Sequence, residues 1–178
     1  YHKCAHAKAV NYQRKRNQNM LPEKVYRYLL IDLESAPDVL GKMLETVTNP
    51  SVYDRRPDPE RFTLREVLAH LADWDAVFLG RLKQTRDDEN PTLVGIDEGQ
   101  VALDNDYAHA DPAASLERYK ANRAELAAFL KALSPEQWGR SGTHTELGPI
   151  TISGHAVLIA VHDGYHREQV FAWLGAGK

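Results

Sequence analysis

Residues 152–174 read ISGHAVLIAVHDGYHREQVFAWL, and this stretch decides the fold. At about 100° per residue, His155, His162 and His166 fall within about 20° of one direction, and Leu158, Ile159, Val170 and Trp173 share that face. A strand would alternate every second residue, and this stretch does not. It predicts a helix that turns three histidines toward the core. His162 and His166 are spaced H-x-x-x-H, one turn apart on one face, so both imidazoles can reach the same ion. A third imidazole from a neighbouring helix would complete a three-nitrogen set with an open position, the arrangement of a catalytic metal.

Upstream, the stretch 67–75, VLAHLADWD, offers that imidazole in His70. A helix over about 63–83 places Val67, Trp74, Val77 and Phe78 within about 80° of His70, so His70 points inward as well. Glu66 and Asp73 flank it at i−4 and i+3. They are candidates to orient the imidazoles, to add a ligand, or to stand on a solvated helix shoulder.

A first helix carries Leu33, Leu40, Leu44 and Val47 at 3/4 spacing from Leu30 onward, with Pro37 inside the pattern. Proline is costly there, so the helix is expected to kink, or to restart at Ser35, where S-A-P-D resembles a capping box. Residues 49–60, with three prolines, form a loop. Residues 86–111 are charged and weakly periodic, and read as a long crossover with a short helix near 98–103. Asp111 and Pro112 open the next helix, along which Leu116, Tyr119, Leu126, Leu130 and Leu133 recur. Arg123 sits on the seam of that helix, where it either meets a core acid or holds an acidic substrate. SPEQW at 134–138 repeats the cap-and-proline signal, and GRSGTHTELGPI at 139–150 reads as an irregular loop. His144 in that loop is expected at the surface or near the open metal position. Four amphipathic segments without a strand pattern make an all-α bundle.

Composition narrows the partners. The 178 residues suit one domain, and a net charge of −3 supplies no basic field for nucleic acid. No apolar run approaches the roughly 20 residues needed to span a bilayer. The one cysteine, Cys4, fits a reducing, cytoplasmic setting. Residues 1–19 are polar and basic and read as an appended or flexible segment before a domain over 20–178. Their His2, Cys4 and His6 form an H-x-C-x-H pattern that binds metal adventitiously at most. No G-x-S-x-G elbow is present, so the chemistry rests on a metal or is absent.

Around these histidines the chain resembles the DinB/YfiT family of four-helix-bundle metalloenzymes. AHLADWD at 69–75 and HDGYHREQV at 162–170 carry the likeness. LIDLESAPDVL, RFTLREVLAH, LSPEQW and ELGPITI follow the family in the same order. The resemblance covers about 21–174. It implies a four-helix bundle with up-down-down-up order and a long connection between helices two and three. It also implies a divalent metal, zinc, nickel or manganese, on His70, His162 and His166. His155 departs from the family's ligands and is expected in the core or lining the substrate cavity.

Three neutral ligands leave the metal's charge free to acidify a water or a thiol. The resemblance favours a thiol S-transferase that uses a low-molecular-weight thiol and a small-molecule electrophile. The alternatives are a hydrolase of amides or esters, or a non-enzymatic, stress-induced bundle whose metal is structural. Val157, Val161, Gly164 and Phe171 form an apolar stripe on the far side of the last helix, which suggests packing against another element or a homodimer.

Overall fold

The computed structural model describes residues 21–175. The segment 1–19, with His2, Cys4 and His6, lies outside the described residues. Four long helices make the core: α1 (Glu23–Leu44), α2 (Leu64–Asp87), α4 (Pro112–Lys131) and α6 (Ile152–Gly175). Two short ones, α3 (Glu98–Asp104) and α5 (Pro135–Trp138), lie in the connections. Among the described residues no helix is long and apolar enough to cross a membrane.

The helix starts follow their caps. Thr63 accepts from the Glu66 N–H and Glu66 accepts from the Thr63 N–H, a reciprocal box that opens α2. Asp111 caps α4, with Pro112 at its first position, and Ser134 with Gln137 boxes α5. The expected short crossover helix is α3, capped by Asp97.

Pro37 behaves differently from the expectation. α1 starts earlier than Leu30 and runs without a break through Pro37, and Ser35 bonds back to the Asp32 carbonyl instead of capping a new helix. A proline at 37 has no N–H for the Leu33 carbonyl. Arg123 supplies the missing donor: its Nη1 reaches Leu33 O at 3.0 Å. The same guanidinium donates through Nε and Nη2 to Asp75 at 2.9 and 2.7 Å, and through both Nη atoms to Asp163. One buried side chain therefore ties together all four core helices. Tyr119 adds a bond to Asp163 at 3.1 Å.

This polar knot lies between two apolar clusters. One gathers Leu33, Phe78, Leu82, Leu126, Leu130 and Ile159, and the other gathers Leu40, Leu64, Leu68, Tyr119 and Val170.

The stretch expected as an irregular loop is instead a hairpin. β2 (Ser141–His144) pairs antiparallel with β3 (Gly148–Thr151), and β1 (Thr92–Leu93) adds in parallel to β2, with Leu93 opposite His144. Four-residue strands built from Ser, Gly, Thr, His, Pro and a single Ile show no apolar alternation, so sequence periodicity could not find them. Gly142 is needed there, because a Cβ would stand 3.0 Å from the Pro91 carbonyl oxygen of the crossover. The sheet seats the crossover against the ends of α2 and α6.

A candidate metal centre between α2 and α6

His70 comes from the second turn of α2, and His162 and His166 come one turn apart from α6. Their ligand nitrogens lie within 4.8 Å of one another. The Nε2 atoms of His70 and His162 are 3.0 Å apart. Among the described residues no other histidine, cysteine or carboxylate joins the group.

Aromatic walls hold the rings. Trp74 stacks on His70 at 4.5 Å between centroids and Phe62 lies at 5.2 Å, while Phe78 faces His162 at 5.5 Å and Tyr165 faces His166 at 4.9 Å. Burial in such surroundings disfavours the imidazolium. Desolvation and then its two imidazole neighbours push His70 down to about 2. Desolvation followed by the Arg123 charge brings His162 to about 4, and desolvation followed by His162 brings His166 to about 3. All three are neutral at physiological pH, with lone pairs available.

One tautomer is set from outside the cluster. The Phe62 carbonyl can only accept, and it takes the Gln169 Nε2 at 2.7 Å and the Trp173 Nε1 at 3.1 Å. The Gln169 oxygen therefore faces His166 Nδ1 at 3.1 Å, so that nitrogen carries the proton and Nε2 presents its lone pair. Gln169 belongs to the sequence motif, three residues after His166, and that spacing is the signal by which its role could have been read.

These observations test the fit of a divalent cation. Three neutral nitrogens converge, at least two as Nε2, and the Nδ1 of His70 is buried without a partner. Neutral imidazoles are suitable ligands for zinc, nickel or manganese, and a set of three with no fourth donor among the described residues leaves coordination open. The residues fit the ion.

The other candidates fall elsewhere. Glu66 has its oxygens on Arg56 at 2.7 Å and on the Thr63 N–H, so it builds the helix start and orients no imidazole. Asp73 accepts from Asn105 and Tyr107, both at 2.8 Å, and pairs with Arg118 at 3.1 Å. It pins the crossover to α2. Arg123 has every N–H of its fork engaged within the core and none left for a substrate. His155 is fully buried on the inward face but two turns from the cluster, and neither of its nitrogens has a partner. His144, expected at the surface, is buried on β2.

A helical bundle with an open three-histidine cluster defines the class of protein, and comparison with known proteins gives the family. The model of the DinB superfamily matches residues 32–170, and the chain belongs to that superfamily. Among curated proteins it is similar to "Putative metal-dependent hydrolase OB0782" of Oceanobacillus iheyensis, 29% identical over 78% of this chain and 80% of the relative. It is also similar to "Putative metal-dependent hydrolase YfiT" of Bacillus subtilis, 28% identical over 76% of this chain and 75% of the relative. The solved structure of YfiT, described as "a probable metal-dependent hydrolase with an unusual four-helix bundle topology", matches with a TM-score of 0.80. That match covers 86% of this chain and 88% of the other at 24% identity, and it carries the fold alone.

Proposed function

We propose that the chain is a metal-dependent hydrolase of a small-molecule amide or ester, with His70, His162 and His166 as the ligands. The observation that carries this reading is the convergence of three ligand nitrogens with no carboxylate or thiol among them. A divalent cation held there supplies Lewis acidity and acidifies water, which is the chemistry that hydrolysis of these bonds needs. The protein's part is positioning: Gln169 fixes the His166 tautomer, Trp74 and Phe62 hold the His70 ring, and Phe78 packs the edge of His162.

The names of the relatives support hydrolysis over the S-transfer expected first, and nothing in the site singles out a thiol. A structural metal would need a closed set. Glu66, a candidate for an added ligand, is committed to Arg56 and to the start of α2, and His155 lies two turns away.

The same reading takes the helices in up-down-down-up order. In support, Asp73 pairs with Arg118 and Lys83 with Glu125, so the numbering of α2 and α4 rises together. Residues 29–33 of α1 share one cluster with 152–159 of α6, while 40–44 share the other with 170–173. We take 20–178 as a single domain. We also take the exposed Val157, Val161 and Phe171 on α6 as a homodimer face; sedimentation that finds only monomer at micromolar concentration removes the dimer.

The test loads purified protein with zinc, nickel or manganese and measures bound metal by elemental analysis. An ester and amide panel is then assayed with and without chelator. About one equivalent of metal, lost in His162→Ala, together with chelator-sensitive hydrolysis, is expected. Negligible loading of the wild type, or equal loading of the variant, overturns the ligand set. Full loading without turnover of any ester or amide overturns the hydrolase.

A further inference from the structure

The loop that leads into α2 and the crossover helix α3 enclose a cleft of about 360 Å³, and one wall of that cleft is Phe62. The same ring packs on His70 at 5.2 Å between centroids. One aromatic ring therefore separates the cleft from a metal ligand. Glu66, which also lines the cleft, and His70 stand at i and i+4 on α2, about 6 Å apart along the axis. The cleft adjoins the candidate centre.

Phe62 is a fixed wall. Tyr107, itself buried, meets its ring edge-on at 6.2 Å, and Gln169 and Trp173 hold its carbonyl. The opposite wall is built from small residues: Gly99 and Ala102 of α3, and Ala108 beyond it, carry no side chain long enough to fill the space. Leu103 stands on the same wall at 76% exposure, an apolar side chain with little covering it.

Charge narrows what this place can hold. The charged residues of the lining are Arg56, Glu66 and Asp106. Both Glu66 oxygens lie 2.7 Å from Arg56 Nη2, and Arg56 Nη1 donates to the Arg61 carbonyl at 2.9 Å. That cation is balanced inside the protein, so a carboxylate or phosphate guest finds none to pair with among these residues. Asp106, the excess charge, is exposed and accepts from His109 at 2.7 Å. The remaining surface is apolar. A dry apolar cavity of about 150 Å³ is enough to bind benzene, so the cleft has room for a ring and the start of a chain.

We propose that this cleft binds an uncharged, ring-sized apolar group of the substrate, with Phe62 as the specificity-determining wall between that group and the metal. The proposal rests on the hydrolase reading and narrows its substrate class to arylalkanoyl esters or amides. In these the carbonyl follows the ring by a few bonds, the span set by a cleft that begins one ring away from His70.

The experiment titrates 3-phenylpropan-1-ol into the full-length metal-free protein and follows the Ala, Leu and Phe signals by NMR. Ala108→Trp fills the cleft from an exposed position, and Leu103→Asp independently removes its apolar rim; thermal melting checks the folding of each. Saturable shifts of Ala102, Leu103 and Phe62 are expected, about tenfold weaker in either variant and absent with 1-propanol. No saturable shift at millimolar ligand, or unchanged affinity in the folded variants, overturns the subsite. Tighter binding of 3-phenylpropionate than of the alcohol overturns the uncharged class. With metal loaded, ethyl 3-phenylpropionate should exceed ethyl acetate in kcat/KM, and Ala108→Trp should lower that ratio about tenfold. An unchanged ratio overturns the assignment of the cleft to the substrate. Binding of the alcohol without turnover of any ester removes the hydrolase reading and leaves the cleft standing as a site.

Discussion

His162 and Asp163 are consecutive residues of α6 that enter two different buried polar systems. Asp163 joins the Arg123 knot, where donors and acceptors match and four helices are tied together. His162 joins a cluster of imidazoles whose nitrogens face one another with too few donors to pair them. Burial is deep in both regions, and polar residues fill both. The difference is satisfaction. A polar system whose hydrogen bonds close on themselves belongs to the fold, while one whose lone pairs converge and stay open has room for a ligand.

The largest effect expected from breaking this contrast is at Arg123. Arg123→Met strands two buried carboxylates and the Leu33 carbonyl, and should cost about 3–5 kcal/mol, measured by urea unfolding. A loss under 1 kcal/mol would mean that the knot does not hold the helices.

Acid should separate the two regions by sign. The three cluster imidazoles titrate lower in the folded chain, at about 2, 4 and 3, than the ordinary value of 6.5. The unfolded chain therefore binds more protons below pH 6.5, and their contribution falls away as pH drops from there toward the folded values. Asp75 runs the other way. Desolvation raises it from 3.8 to about 6, against the pull of Arg123, so its contribution is present below pH 3.8 and is lost as pH rises through 6. Desolvation also brings the buried His155 to about 4, so near pH 5 the imbalance is about three protons. The metal-free protein should lose stability on the order of 4 kcal/mol per pH unit of acidification there. A flat profile between pH 6 and 4.5 would show that the imidazoles are not held neutral.

A smaller change is expected from Gln169→Ala. It frees the His166 ring without touching the knot, and should weaken metal binding about 10–100-fold while leaving the metal-free melting temperature within a few degrees. Calorimetric titration of metal into the variant measures the first, and unchanged affinity would remove Gln169 from the site.

How much of this was legible follows from the range of each signal. The caps at Thr63, Asp111 and Ser134 act over three residues, and the inward faces of α2 and α6 repeat every turn, so both could be read from the chain. Pro37 could not, because its helix survives through a donor contributed from α4, 86 residues later. The hairpin 141–151 was hidden because its short strands are stabilised by pairing with each other and with the crossover, without an apolar pattern of their own. Glu66 and Asp73 stood on the right helix at plausible offsets, but which neighbour each would meet depended on Arg56, Tyr107 and Asn105 from loops that carry no periodicity.

The sequence by itself determined four amphipathic helices, the starts of all but α1, and an inward H-x-x-x-H pair with His70 on another helix, since these depend on local hydrogen bonds and on the 3.6-residue period. The tertiary structure decided which polar residues became structural and which stayed open. Arg123 was closed off by acids from two other helices, and His155 was left unpartnered inside the core. Satisfaction of a buried polar atom depends on donors brought from distant parts of the chain, and only packing settles where those donors stand.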